Sequence, residues 1–293
     1  MNITANTGDP TVAFSPATGL DPCTPYAFER VHRDGGGAEV ARLEAQNLIL
    51  EKSRPLAQLP PIPASGAILD VGSGTGFWAI RLAARVPHGR ITCLDRSGEL
   101  LDLARQRLHA AVATPAEFLQ QDLRALNLPA QAYDLVFTCV TLAHVPQLEP
   151  VLGQLVAALK PGGWLACFEP LQQARSFCEV YPPCPNLQFI LEALATEARE
   201  RGSDLSLSLK LVQHLDRMGL VSCALRDFGS ALRGAEAATM VNQVMLPLAK
   251  SYLGAALAPE ELAQRLEWAS KEVDQPHLWL DCRRAVTMGR KPF

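Results

Sequence analysis

The sequence has few aromatic residues and little net charge, and both shortages limit what the chain can do. Aromatic residues make up 6% of the 293 residues, so the core must consist mainly of Leu, Ala, Val and Ile. The formal net charge of -3 provides no bulk attraction to nucleic acid or to an anionic membrane. The sequence contains no basic stripe interleaved with aromatics, and we expect Arg283–Arg284 and Arg290–Lys291 to be solvated surface charges.

Long apolar runs and closely paired cysteines are also missing. No apolar run reaches the roughly 18 residues that a membrane-spanning helix needs. Residues 1–16 contain neither a basic n-region nor an apolar h-region, so no secretory signal is expected. The 8 cysteines include no C-x-x-C pair, which argues against a zinc site, and we predict no metal site. We expect the cysteines to be buried free thiols in a cytoplasmic protein.

Apolar runs typical of buried strands alternate with helical patterns after a proline-rich break at residues 55–63. This alternation predicts an α/β fold, a Rossmann-like, doubly wound and mostly parallel sheet. The predicted strands are Ala67–Val71, Arg90–Asp95, Ala116–Gln120, Tyr133–Val140, Trp164–Glu169, Val221–Phe228 and Arg284–Gly289.

A glycine-rich segment, Asp70–Phe77, joins the first predicted strand to a helix. Gly72, Gly74 and Gly76 have G-x-G-x-G spacing, and such glycines let the backbone turn sharply and approach a ligand closely. The nicotinamide fingerprint needs its third glycine at Phe77, so a dinucleotide site is disfavoured. A P-loop is excluded because no Gly-Lys-Ser/Thr follows.

Residues 68–76, ILDVGSGTG, resemble motif I of the class I S-adenosylmethionine-dependent methyltransferases. The resemblance is to small-molecule members related to the ubiquinone and menaquinone biosynthesis group. Three later elements agree with it. Asp95 ends the second strand about 20 residues after the glycines, where a carboxylate can accept hydrogen bonds from ribose hydroxyls. Gln121–Leu123 follow the third strand, and Leu159–Gly163 resemble the family's turn before strand five.

The resemblance implies S-adenosyl-L-methionine as the cofactor. Asp70 would either orient the methionine end or only fix the turn, and Tyr26 and Gln46 would either cover the pocket or lie on a solvated helix face. The implied cofactor-binding residues are Tyr26, Gln46, Asp70, Gly72, Ser73, Gly74, Gly76, Asp95, Arg96, Asp122, Leu123 and Cys139.

The predicted organisation has four parts. Residues 1–20 form a flexible arm, 21–63 an N-terminal helical cover and 64–170 the cofactor-binding core. Residues 171–293 supply the remaining strands, with a C-terminal helical lid inserted at about 230–275. Such a lid would cover the carboxyl edge of the sheet, where ligands bind in open α/β sheets.

Two residues at that edge are candidates for catalysis. His144 follows the fourth strand and is either a general base or a packing residue. Glu169 ends the fifth strand and either faces the substrate or is a strand-end or capping carboxylate.

The expected substrate is a small hydrophobic metabolite, a terpenoid, polyketide or aromatic natural product of secondary metabolism, methylated at carbon or oxygen. Met240, Val244, Met245 and Leu248 share one helix face, which either packs on the sheet or lines an apolar pocket. Two other functions stay open: a cofactor-dependent cyclase, and a methyltransferase-like regulator that transfers nothing. No nucleic acid partner and no membrane span are expected, and a homo-oligomer is left open.

Overall fold

The computed structural model describes residues 26, 28–34, 37–172, 176–228, 231–254, 256–275 and 277–293. The predicted arm at residues 1–20 lies outside the described residues. The strands are β1 Ala67–Val71, β2 Arg90–Asp95, β3 Ala116–Gln120, β4 Tyr133–Cys139, β5 Leu159–Pro170, β6 Glu179–Tyr181, β7 Val221–Phe228, β8 Ala231–Arg233, β9 Trp279–Asp281 and β10 Arg284–Arg290. The α-helices are α1 Phe28–Asp34, α2 Glu39–Lys52, α3 Phe77–Ala83, α4 Gly98–Ala111, α5 Leu148–Ala158, α6 Pro185–Glu200, α7 Leu207–Arg217, α8 Gly234–Thr239, α9 Leu246–Leu253 and α10 Pro259–Glu272. A π-helix, Met240–Met245, joins α8 to α9.

Seven strands form the main sheet in the order β3-β2-β1-β4-β5-β10-β7. Strands β1 to β5 pair in parallel, whereas β10 runs antiparallel to both β5 and β7. The predicted mostly parallel, doubly wound α/β fold is therefore confirmed. Because β10 is reversed, its first residue, Arg284, pairs with Pro170 at the carboxyl edge of the parallel strands.

Predicted and observed boundaries agree for four strands. The bounds of β1, β2, β3 and β7 are those predicted. Strand β5 starts earlier than predicted, at Leu159, and carries the predicted turn inside it, with Gly162 at φ 78°. The prediction missed α1 and a second sheet of β6, β9 and β8, whose strands are too short for alternation to be visible.

Three hydrophobic clusters form the core. One packs α3 and α4 on one face of the sheet, and a second packs α5 and α7 on the other. The third joins Val31, Ala45 and Ile49 of the N-terminal helices to α6, α9 and α10. Helices α1 and α2 therefore share one apolar core with α6, α9 and α10.

The structure corrects two expectations about single side chains. The cysteines are not all free, because Cys178 and Cys282 form a disulfide. The basic pairs are not simply solvated. The ammonium group of Lys291 donates to carbonyls at the end of α5, and the guanidinium of Arg290 lies 4.5 Å from the Phe293 ring centroid. Arg284 lies on a cavity wall described below.

Within the described ranges, no helix combines the length and apolarity needed to cross a bilayer.

Candidate functional site

The carboxyl ends of β1, β2 and β4 border a cavity of about 1180 Å³, here called the first cavity. Of the predicted cofactor-binding residues, all but Asp70 and Gly76 lie on its wall. The predicted residues on the wall are Tyr26, Gln46, Gly72, Ser73, Gly74, Asp95, Arg96, Asp122, Leu123 and Cys139. Burial holds the pKa of the Cys139 thiol well above its usual value.

The three loop glycines have positive φ angles of 68°, 53° and 79°, but they serve different purposes. A Cβ at Gly72 would lie 2.6 Å from Thr141 Cγ2, and one at Gly76 would lie 2.9 Å from Leu108 Cδ1. A Cβ at Gly74 would have no neighbour nearer than 4.0 Å. Gly72 and Gly76 therefore permit close packing, whereas Gly74 keeps the cavity side of the loop open.

Two carboxylates on the first cavity wall are held by local hydrogen bonds. Asp95 accepts the backbone N–H groups of Gly74 and Ser97, each at 2.9 Å, so it ties the loop to the end of β2. Asp122 accepts the N–H of Arg124 at 2.8 Å and pairs with its guanidinium at 2.9 Å. The hydrogen bonds from Arg124 lower the pKa of Asp122, which keeps this group ionised at neutral pH.

Asp70 lies behind the loop and is 1% exposed. Among the described residues its Oδ2 has no hydrogen-bond partner. Burial, and then the nearby charge of Asp95, raise the pKa of Asp70 to about 8. A buried polar atom without a partner is uncommon in proteins and often marks a ligand site.

Tyr26 and helix α2 form a buried polar cluster. Tyr26 donates its hydroxyl hydrogen to Glu39 at 2.6 Å, and Arg42 donates to both oxygens of Glu39 and to Gln46 at 2.7 to 2.8 Å. Burial alone would lower the pKa of Arg42, but Glu39 more than offsets it and the pKa is raised. Tyr26 and Gln46 thus lie on a cavity wall and not on a solvated helix face.

Contacts between α2 and the glycine loop were not anticipated from the sequence. Glu44 accepts hydrogen bonds from Thr75 and, at 2.6 Å, from Arg107. Asn47 accepts the indole N–H of Trp78 at 3.1 Å. Glu44 and Asn47 are three residues apart and so lie on one helix face. Leu48, on the same helix, is 53% exposed although it is apolar.

A second cavity of about 1010 Å³ adjoins the first. The residues that line both are Tyr26, Leu43, Gln46, Val140 and His144. Its apolar wall comes from β5, α6, the π-helix, α9 and the segments just before β6 and α7, and includes Phe177, Leu194, Ala198, Leu205, Val244, Met245 and Leu248. Of the four residues predicted to share a pocket face, Val244, Met245 and Leu248 line this cavity, whereas Met240 is fully buried elsewhere.

His144 lies between the two cavities. Its Nδ1 is 3.0 Å from the Ser203 hydroxyl oxygen, and its ring centroid is 5.7 Å from that of Tyr26. Burial, and then the positive charge of Arg42, lower the pKa of His144 to about 4. The ring is therefore neutral at pH 7 and a weak base.

Glu169 lines neither cavity, which favours the alternative of a strand-end or capping carboxylate over one that faces a substrate. It is fully buried and accepts hydrogen bonds from Thr138 at 2.9 Å and from the N–H groups of Thr141, Leu142 and Ala143 at 3.0 to 3.3 Å. Burial nevertheless raises the pKa of Glu169. This carboxyl group fixes the loop that follows β4, so its role is to position that loop.

Comparison with known proteins agrees with this geometry. Residues 68–163 match a family model described as a methyltransferase domain. The chain is 35% identical over 160 residues to the trans-aconitate 2-methyltransferase of Paracidovorax citrulli, over 52% of this chain and 60% of that protein. It is 34% identical over 106 residues to the demethylmenaquinone methyltransferase of Listeria welshimeri, over 36% of this chain and 45% of that protein. The aligned part therefore spans about half the length of these relatives.

One solved structure illustrates the similarity of fold. The Haemonchus contortus phosphoethanolamine N-methyltransferase 2, in complex with phosphomonomethylethanolamine and S-adenosylhomocysteine, superimposes with a TM-score of 0.58 at 14% identity. The match covers 92% of this chain and 61% of that chain.

Proposed function

We propose that this chain, which contains a class I S-adenosylmethionine-dependent methyltransferase domain related to those of the quinone methyltransferases, methylates a small apolar molecule held in the second cavity. S-adenosylmethionine is the cofactor, and the first cavity is its proposed site. The observation that carries the proposal is the wall shared by the two cavities, at Tyr26, Leu43, Gln46, Val140 and His144. A ligand in one cavity would thereby adjoin a ligand in the other.

The residues of the first cavity fit an adenosyl cofactor. The open side of Gly74 leaves room for a ligand against the loop backbone. Asp95 stands at the end of β2, where it would accept hydrogen bonds from ribose hydroxyls, and Asp122 and Leu123 would contact the adenine. The unpartnered Oδ2 of Asp70 would accept from the ammonium group at the methionine end, directly or through water.

When bound, the cofactor supplies an electrophilic methyl group on sulfur. Transfer is an in-line displacement, so the contribution of the protein is to hold the acceptor atom in line and to exclude water. Tyr26 and Gln46 occupy the shared wall and are held by the buried Glu39–Arg42 pair. We assign them the task of closing the reaction space.

A strong general base is not part of the proposed mechanism. His144 is at the shared wall, but its pKa of about 4 makes it a poor proton acceptor. We propose that His144 contacts the substrate and orients it through the neutral ring, held by Ser203. The acceptor atom would then be intrinsically nucleophilic, such as an electron-rich carbon or an ionised oxygen.

The apolar wall of the second cavity supports a hydrophobic metabolite as the substrate. Leucine, valine and methionine side chains from α6, the π-helix and α9 provide a large apolar surface with adaptable shape. A terpenoid, polyketide or aromatic compound methylated at carbon or oxygen would fit this surface.

The direct test uses purified protein and cofactor labelled in the transferable methyl group. A panel of apolar metabolites is incubated with both, and mass spectrometry follows the labelled product together with S-adenosylhomocysteine. We expect labelled product and S-adenosylhomocysteine in equal amounts. Bound cofactor with no methylated product across the panel would contradict the proposal and favour a cyclase or a regulator instead.

A matched pair of variants tests the assignment of the second cavity. Ala198 lines that cavity on α6, whereas Thr196 lies on the same helix and is exposed. Ala198→Phe should narrow the cavity and strongly lower product formation while the affinity for S-adenosylhomocysteine stays unchanged. Thr196→Phe should leave both unchanged. Equal activity of the two variants would place the substrate elsewhere.

The cofactor assignment is tested separately with Asp95→Ala. A hydrogen bond to a charged group contributes roughly 1.5–3 kcal/mol, so the dissociation constant for S-adenosylhomocysteine should rise about tenfold or more. Calorimetric titration measures it, and an unchanged constant would show that Asp95 does not hold the ribose.

A further inference from the structure

Among the described residues that line the second cavity, one charged side chain lacks a counter-charge. Arg42 pairs with Glu39, and Arg283 pairs with Asp227. Arg284 lines the same cavity, yet no described carboxylate lies within ion-pair distance of it. The only hydrogen bond that its guanidinium makes to the described residues is from Nη1 to the Cys282 carbonyl, at 3.2 Å.

The fold places Arg284 firmly at this wall. It is the first residue of β10 and pairs with Pro170 on one side and with Phe228 on the other. Cys282, two residues earlier, is fixed by the disulfide to Cys178. The guanidinium therefore projects from a strand held on both edges, and not from a loose surface loop.

The surroundings of this guanidinium are unusual for a positive charge. The neighbouring wall is mostly apolar, and burial lowers the pKa of Arg284 to about 10, whereas nearby Cys139 acts in the opposite direction. The group remains cationic at neutral pH. An uncompensated charge on an apolar wall destabilises a protein unless it has a partner. Arginine presents up to five N–H donors in a planar fork that matches the two oxygens of a carboxylate.

The other polar groups of the wall already have partners within the protein. Gln172 donates to the Phe177 carbonyl, and Ser203 interacts with His144. Arg284 is thus the wall group best placed to bind a charged part of a ligand.

We infer that the molecule bound in the second cavity carries a carboxylate or equivalent anionic oxygen group on an apolar skeleton, and that Arg284 is the specificity-determining residue that binds it. This inference rests on the proposed function, since it takes the second cavity as the substrate site. It narrows the substrate class from apolar metabolites in general to amphiphilic acids. The anion anchors one end of the molecule while its apolar body contacts α6, the π-helix and α9.

The test compares acids with their neutral esters on protein saturated with S-adenosylhomocysteine. The probes are 2-naphthoate with methyl 2-naphthoate, and decanoate with methyl decanoate, titrated by calorimetry. We expect at least one acid to bind about tenfold or more tightly than its ester, a difference of about 1.4 kcal/mol. Acids that bind no better than their esters, or do not bind at all, overturn the inference.

Two variants identify the residue responsible. Arg284→Gln should abolish the preference for the acid while leaving the affinity for S-adenosylhomocysteine unchanged, which also shows that the variant is folded. Arg226→Gln removes the same charge from the exposed face of β7, where Arg226 bonds to Gln58, and should keep the preference. A preference that survives Arg284→Gln overturns the assignment.

The possible failures are distinguishable. If S-adenosylhomocysteine does not bind the wild-type protein, the proposed function fails and the inference fails with it. If it binds but the acids show no advantage, only the inference fails. If Arg284→Gln yields no folded protein, the comparison of acid with ester on the wild-type protein still tests whether the cavity prefers an anionic ligand.

Discussion

Asp70 should make cofactor binding strongly dependent on pH. Its carboxyl group is buried, its Oδ2 has no hydrogen-bond partner among the described residues, and its pKa is about 8, because burial and then Asp95 disfavour the charged form. A ligand ammonium group near this oxygen would need the carboxylate. At pH 6 only about 1% of the protein carries it, and at pH 8 about half does, as follows from a pKa near 8. The dissociation constant for S-adenosylhomocysteine should therefore fall roughly fifty-fold from pH 6 to pH 8.

The matched variants are Asp70→Asn and Asp102→Asn. Asn has the shape of Asp but cannot ionise, so Asp70→Asn should bind with nearly constant affinity over this range. Asp102 is exposed on α4 and pairs with Arg105 there, so its replacement should keep the wild-type slope. Calorimetric titration at pH 6, 7 and 8 measures all three proteins. A flat wild-type profile, or an Asp70→Asn profile as steep as that of the wild type, would refute the reasoning.

The same residue should affect the stability of the ligand-free protein. Its pKa is higher in the folded state than the value of 3.8 expected in an unfolded chain. The stabilisation that the protonated Asp70 gives to the folded state is therefore fully present below pH 3.8 and is lost as the pH rises through 8. A tenfold difference between the folded and unfolded acid dissociation constants corresponds to about 1.4 kcal/mol. Asp70→Asn should thus raise the melting temperature of the ligand-free protein at pH 8.5, and a lower one would contradict the sign.

Three further outcomes are expected. Gly76→Ala should lower the free energy of unfolding by more than Gly74→Ala does, because both force a positive φ on alanine but only Gly76 also clashes with α4; denaturant titration measures this, and equal losses would contradict it. Glu169→Gln should lower the free energy of unfolding by about 1–3 kcal/mol, because an amide cannot accept all four of the hydrogen bonds; unchanged stability would rule out the positioning role. Because the pKa of His144 is about 4, we expect its titration to cause no change in turnover rate between pH 5.5 and 7. A rise in turnover centred near pH 6.5 that is absent in His144→Ala would show instead that His144 acts as a general base.

The sequence predicted those features that depend on residues close together in the chain. Strands β1, β2 and β3 are short segments bordered by glycine, proline or polar residues, so their bounds, the parallel core and the glycine loop follow from the sequence. The family resemblance rests on motifs in the same region, and residues 68–163 match a family model described as a methyltransferase domain. The substrate class, the division into four parts and the cytoplasmic location remain predictions.

Features that depend on distant contacts were not predictable in this way. The sequence of β10 does not reveal whether the strand runs parallel or antiparallel to its neighbours. The antiparallel direction is what places Arg284 at the carboxyl edge of the sheet, so from the sequence alone Arg283–Arg284 resembles an ordinary pair of surface charges. Glu44 of α2 accepts hydrogen bonds from Thr75 and Arg107, which are 31 and 63 positions away in the sequence and come close only in the folded chain. The Cys178–Cys282 bond joins residues separated by 104 positions, and no spacing rule identifies such a pair.

The position of Glu169 has a consequence for the size of molecule that fits. Its carboxyl group holds the backbone of residues 141–143, next to His144, while its own backbone pairs with Ala285, next to Arg284. One residue therefore connects the two side chains proposed to contact opposite parts of the ligand, and the span between them is set by sheet hydrogen bonds. We expect substitutions in the helices to change the width and curvature of the compounds that bind. The length of those compounds should instead be limited by the fixed distance between His144 and Arg284.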